Sequence, residues 1–213
     1  MKITPKIRSI DPRRPRADLI DAAVRILENG GVIAFPTGSL YGLGADALNT
    51  GAVKRVFTIK RRPPDKPLLI LVSDRDVVFD LAAEVTPAAK RLMDRFWPGR
   101  VTIVFRALSI LPANLTAGSG KIGIRLPGHP VAKALVAALG RPITGTSANP
   151  SGHKGCHRIA ELDPKLIEQL DLVLDAGQLK EGIGSTVIDI TGAGPIVIRE
   201  GVVSKRAILA AVC

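Results

Sequence analysis

The chain has 213 residues, 46% of them hydrophobic and 23% charged, and its 30 Lys and Arg outnumber 19 Asp and Glu to give a formal charge of +11. This length and apolar share fit one globular domain that buries most of its apolar surface, and they exclude a disordered tail. The longest aliphatic run, residues 68–72, is far short of the roughly 20 residues a membrane span needs, and the basic N-terminus lacks the apolar stretch of a secretory signal. A cytoplasmic protein without a membrane partner is therefore expected, with Cys156 and Cys213 as free thiols.

In chain order, residues 1–16 read as a basic extension carrying Lys2, Lys6, Arg8, Arg13, Arg14 and Arg16. Leu19, Ala23, Ile26 and Leu27 recur at helical spacing, and Gly30 stands where a left-handed cap ends the helix. Residues 32–35 form a short apolar strand that runs through Pro36 into a glycine-punctuated loop, 37–44. Thr50 is the expected cap of a second helix with Val53, Val56, Phe57 and Ile59 inward, which stops before Pro63 and Pro64. Residues 68–72 are a strand. Thr86-Pro87 starts a third helix with Ala89, Leu92, Met93 and Phe96 inward, and Trp97-Pro98-Gly99 turns the chain into a strand at 101–105.

A strand at 122–126, a helix at 130–139 and a short strand at 142–144 lead to a polar loop, 145–155. Late strands at 172–174, 187–190 and 196–198 precede a last helix that Ser204 caps and that runs to Leu209. Strand and helix interleave throughout. The fold class is α/β, a twisted mixed parallel and antiparallel sheet flanked by helices in one domain spanning 1–213.

The positive charge is clustered, with Lys54, Arg55, Lys60, Arg61, Arg62 and Lys66 forming a second group after the N-terminal one. Such clusters attract nucleotides and nucleic acid, and aromatic residues, at 3%, are too few for a base-stacking platform, so any RNA is held by its phosphates. The string Gly118-Ser119-Gly120-Lys121-Ile122-Gly123 matches GxGxxG, but no strand precedes it and a strand rather than a helix follows. As a P-loop it lacks the first glycine, replaced by Leu115, and the magnesium-binding hydroxyl, replaced by Ile122. His153, Cys156 and His157 are too few for a structural zinc site, and His129 reads as a turn residue between Gly128 and Pro130. Without a further histidine to act as general base, chemistry here rests on binding, orientation and charge stabilisation.

Five segments place cations, hydroxyls or open backbone at strand ends. They are Pro36-Thr37-Gly38-Ser39-Leu40-Tyr41-Gly42-Leu43-Gly44, Lys60-Arg61-Arg62-Pro63-Pro64-Asp65-Lys66-Pro67, Gly123-Ile124-Arg125-Leu126-Pro127, Thr144-Gly145-Thr146-Ser147-Ala148-Asn149-Pro150-Ser151-Gly152, and Gly184-Ser185-Thr186-Val187 with Ile198-Arg199-Glu200-Gly201. Together and in this order, from about Val24 to Val203, they resemble the YrdC-type threonylcarbamoyl-AMP synthase family.

The resemblance implies an α/β sheet around a basic concave cleft. It implies a nucleotidyltransferase that makes threonylcarbamoyl-adenylate and pyrophosphate from L-threonine, bicarbonate and ATP, with Mg²⁺ arriving on the nucleotide and no protein-bound metal. It further implies that Thr37, Arg125 and Ser185 bind threonine and that Lys60, Arg62, Lys66, Lys121, Ser147, Asn149 and Arg199 surround ATP, with Lys60 and Arg62 balancing charge in the transition state. Implied partners are tRNA or double-stranded RNA and the proteins that transfer the threonylcarbamoyl group to tRNA.

Gly38 and Ser39 stand where many members carry an acidic residue and Thr, and Leu71 stands where many carry His. The sequence resembles the short form of the family, without the extra C-terminal domain of longer relatives. Two rivals remain at this level: a non-catalytic RNA-binding protein of the same fold, and a carbamoyl-adenylate activity like that of hydrogenase maturation proteins. The second is disfavoured by the lack of zinc-finger or acylphosphatase-like segments.

Overall fold

The computed structural model describes residues 6–180 and 182–212. Strand β1 (Lys6–Ser9) is followed by α1 (Ala17–Glu28), β2 (Ile33–Pro36), β3 (Tyr41–Gly44), α2 (Thr50–Lys60), β4 (Leu69–Leu71), α3 (Pro87–Phe96), β5 (Val101–Arg106) and β6 (Lys121–Arg125). Then come α4 (Pro130–Leu139), β7 (Ile143–Thr144), β8 (Thr146–Ser147), α5 (Pro164–Ile167), β9 (Leu172–Asp175), β10 (Thr186–Asp189), β11 (Ile196–Arg199) and α6 (Lys205–Leu209).

The strands form two mixed sheets where the sequence led us to expect one: a five-stranded sheet in the order β1-β9-β2-β3-β8 and a six-stranded sheet in the order β11-β10-β5-β6-β4-β7. Parallel pairs such as β1 with β9 and β4 with β6 sit beside antiparallel hairpins such as β2 with β3. The chain passes between the sheets at 143–147. Here the Gly145 N–H donates to the Leu69 carbonyl, and an added Cβ would stand 2.6 Å from Leu69 Cδ1 and 2.9 Å from Leu71 Cδ2, so only glycine fits.

Local chemistry explains the helix ends. Thr86 accepts from the Ala89 N–H ahead of Pro87, and Gly140, at φ 65°, ends α4 in the left-handed conformation. The His129 ring caps α4 by accepting from the Val131 N–H, and burial lowers its pKa. The cap of α2 is Asn49, not Thr50, because its side chain accepts from the Ala52 N–H one residue earlier than expected.

Three further expectations fail. Residues 6–9 belong to a strand rather than to an extension, since they pair with β9 across most of the chain. The glycine-rich loop contains β3, where Gly42 and Gly44 leave room for the Phe35 ring of the neighbouring strand. The polar loop at 145–155 contains β8, paired with β3.

Helices α1 and α4 pack together over β2 and β9, with Ala23, Leu27, Val131, Leu135 and Phe35 buried there. A larger core lies between the sheets and under α2 and α3, and it takes one face of the six-stranded sheet through Ile103, Phe105, Ile122 and Ile124. The strand period of two therefore sends Thr102, Val104, Lys121, Gly123 and Arg125 to the other face. That face carries the site.

Candidate active site

A cavity of about 570 Å³ opens over this second face of the six-stranded sheet. Its floor is Thr102, Val104, Gly123 and Val187, its walls come from the loops after β2 and α2, and its rim includes Ile198. Of the residues selected from the sequence, the cavity brings together Thr37, Arg62, Lys66, Lys121, Arg125, Ser147, Ser185 and Arg199.

Sheet register gathers the key side chains at one end. Thr186 pairs with Val101 in parallel, and Val187 pairs with Arg199 in antiparallel. Ile103 pairs with Ile124, so the start of β5 meets the end of β6. Ser185, Thr102, Arg125 and Arg199 consequently converge. The Thr102 and Ser185 hydroxyls lie 2.9 Å apart, and Arg199 donates to the Ser185 carbonyl at 2.8 Å and to its hydroxyl at 3.2 Å. Thr37 donates its hydroxyl to the Leu40 carbonyl at 2.8 Å, which leaves its oxygen lone pairs to accept from a ligand amine.

The electrostatics of this end are one-sided. Arg125 is only 6% exposed, its Nε has no partner, and its guanidinium makes no hydrogen bond among the described residues. Burial, then the charges of Arg199 and Arg100, pull its pKa down to about 10. Arg62 is also lowered, by burial and then by Arg199, with Asp65 opposing, and burial lowers Arg199. Arg62, Arg100, Arg125 and Arg199 thus line one cavity, and no described carboxylate lies within ion-pair distance of any of them. A buried cation without an acceptor is costly, and a bound anion removes that cost. At the far end, by contrast, Lys121 is paired with Asp189 at 2.9 Å.

Lys60 and Asn149 lie outside the lining. Lys60 is 2% exposed and its ammonium donates to the carbonyls of Ser147 and Asn149 at 2.5 and 2.6 Å. Burial, then the charge of Arg62, pulls the Lys60 pKa down to about 7. The Asn149 amide donates to the carbonyls of Pro150 and His153, which leaves its buried Oδ1 unpartnered. Both side chains therefore hold the 146–153 loop in shape behind the cavity wall. Arg62 does line the cavity, and it also braces its own loop through the Lys66 and Pro67 carbonyls.

Sequence reasoning passed over Arg100, Thr102, Asp65 and Asp189, all in the lining. A signal existed for Arg100, a cation between a Pro-Gly turn and a strand, but turns alone gave no reason to weigh it. The imagined metal cluster is dispersed into structural contacts. Cys156 donates its thiol to the Glu161 carbonyl, with its pKa raised by burial, and the His157 Nδ1 sits 2.7 Å from the Ser39 carbonyl. Among the described residues no group of three or more His, Cys, Asp or Glu could hold a metal ion. No described helix is long and apolar enough to cross a membrane.

Known proteins resemble this chain in sequence and in fold. The sequence profile of the Sua5/YciO/YrdC family, described as "Telomere recombination", matches residues 25–201. Threonylcarbamoyl-AMP synthases of Pyrococcus abyssi and Bacillus subtilis are 37% and 35% identical over 85% and 99% of this chain. The chain spans 54% and 59% of the length of those two relatives.

Among solved structures, P. abyssi Sua5 complexed with L-threonine superposes with a TM-score of 0.90 at 33% identity, covering 97% of this chain and 61% of that one. Escherichia coli YciO superposes with a TM-score of 0.84 at 32% identity, covering 96% of this chain and 99% of that one. In sequence and in fold, the chain belongs to the Sua5/YciO/YrdC family.

Proposed function

We propose that the cavity joins L-threonine, bicarbonate and ATP into threonylcarbamoyl-adenylate and pyrophosphate, making this chain a nucleotidyltransferase. The observation that carries the reading is the row of unpaired, part-buried guanidiniums beside the Thr37, Thr102 and Ser185 hydroxyls in a single cavity. An amino acid and a triphosphate together need such an arrangement. Arg125 matches the threonine carboxylate with its planar fork, and the Thr37 oxygen accepts from the amine. Arg62, Arg199 and Lys66 balance the triphosphate, and the Ser147 segment forms the wall beside it.

In this reading the threonine carbamate oxygen attacks the α-phosphorus, its bond to phosphorus forms as the bond to the β-phosphate oxygen breaks, and pyrophosphate departs. The guanidiniums stabilise charge that shifts toward pyrophosphate, and holding both substrates in one cavity removes much of the entropy cost of joining them. Mg²⁺ bound to the triphosphate would add further charge neutralisation, with Asp65 and Asp189 as the carboxylates in the lining among the described residues. Lys60 and Asn149 act indirectly, by fixing the wall.

The names of the relatives support the reading, as does the threonine complex of P. abyssi Sua5. Use of the product in modifying tRNA, acceptance by threonylcarbamoyl-transfer proteins, action of the two sheets as one domain, and a cytoplasmic setting belong to the same proposal. Incubation with ATP, bicarbonate and single amino acids tests it. Pyrophosphate and a product with the mass of threonylcarbamoyl-adenylate are expected with threonine, and release independent of threonine contradicts the proposal.

A further inference from the structure

Arg100 lines the cavity just before β5, and its surroundings differ from those of the other arginines there. A Cβ on Gly38 would stand 3.7 Å from its Nε and 3.8 Å from its Nη2, and one on Gly182 would stand 3.7 Å from its Nη1. The guanidinium therefore lies between two glycines that bring backbone close and place no side chain against it. Gly38 has a φ of +131°, so a side chain there would also be strained. Among the described residues Arg100 has no hydrogen-bond or ion-pair partner, whereas Arg62 and Arg199 each donate to carbonyls. Arg125, close enough to sense its charge, is equally unpartnered.

One α-carboxylate occupies one guanidinium fork, and Arg125 supplies it. A second open guanidinium beside it adds only repulsion unless a second oxyanion binds. The proposed reaction contains two besides the threonine carboxylate: the triphosphate, which Arg62, Arg199 and Lys66 balance, and bicarbonate, a planar monoanion whose oxygens fit an arginine fork.

We propose that Arg100 binds the carbonate-derived group, as bicarbonate before the amine attacks and as the carbamate carboxylate afterwards, a role that rests on the function proposed above. The amine nitrogen forms a bond to the carbonate carbon, a carbon–oxygen bond breaks, and one water leaves, so that amine and bicarbonate give carbamate and water. Negative charge stays on the oxygens held by Arg100 throughout. The carbamate is thereby kept beside Arg125, facing the nucleotide.

The test varies bicarbonate in carbonate-free buffer at saturating threonine and ATP and follows pyrophosphate release by wild type, Arg100→Ala and Arg100→Lys. Arg100→Ala is expected to raise the KM for bicarbonate at least about tenfold and the KM values for threonine and ATP less than about threefold, with partial recovery in Arg100→Lys. In parallel, the ¹³C resonance of labelled bicarbonate should broaden on addition of wild type and not of Arg100→Gln, whose folding is checked by thermal melting. An unchanged bicarbonate KM, an equal rise for threonine, or a wild-type preference for L-aspartate over threonine that Arg100→Ala abolishes would each overturn the assignment. If wild type releases no threonine-dependent pyrophosphate but broadens the bicarbonate resonance in an Arg100-dependent way, the reaction fails and the anion site stands.

Discussion

The two ends of the cavity use their charges differently. At the Lys121 end the ammonium is matched by Asp189, and Asp189 is also held by Thr191. At the Arg125 end four guanidiniums line the cavity beside the Thr102 and Ser185 hydroxyls, with no carboxylate among the described residues within ion-pair distance. A paired charge serves the fold, while an unpaired buried one raises the energy of the empty site and binds whatever anion completes it. Lys60 is a third case, since it is buried yet fully used by backbone carbonyls.

Filling the floor between the two ends should perturb the site most. A Cβ on Gly123 would already touch Thr102 Cγ2 at 3.1 Å and Leu69 Cβ at 3.3 Å. Gly123→Leu is expected to abolish binding of both threonine and ATP in titration calorimetry, whereas retained binding of either would place that ligand elsewhere.

Arg125→Leu sharpens the contrast through stability alone. Removing an unpaired buried charge in favour of an apolar side chain should stabilise the ligand-free protein by about 1–4 kcal/mol, seen as a higher Tm. Lys60→Met should do the opposite. Two carbonyls lose their donor, at a cost of about 2 kcal/mol and roughly 5 °C in Tm for a chain of this size.

The smallest effect belongs to the paired end. Burial pushes the Asp189 carboxyl up, but the Lys121 and Thr191 hydrogen bonds outweigh it and hold the pKa below the ordinary 3.8. Its stabilisation is present above that ordinary value and fades as pH falls through the lowered one. Asp189→Asn should therefore lower stability at pH 7 by under about 1 kcal/mol, since Lys121 is half exposed, and the loss should vanish in strong acid.

How much of this was legible depended on whether the cause was local. Helix α4 could be bounded from the sequence because Pro130 opens it and Gly140 closes it. The site arginines at 125 and 199 are legible through the family resemblance of the strand-end segments that hold them. By contrast, β1 reads as alternating charge until β9, far along the chain, supplies its partner. Strands β3 and β8 are short and glycine-rich or polar, so only the register against Phe35 and Tyr41 reveals them. The direction of Lys60 was equally hidden. A lysine at a helix end suggests solvent or phosphate, and only the fold brings the Ser147 and Asn149 carbonyls to its ammonium.

The most direct measurement is the affinity for L-threonine, by titration calorimetry, of wild type, Arg125→Ala and Lys121→Ala. The account predicts a loss of roughly 100-fold in Arg125→Ala, where a bidentate charged contact disappears, and little change in Lys121→Ala. Equal losses in the two variants, or undiminished binding without the Arg125 guanidinium, would contradict it.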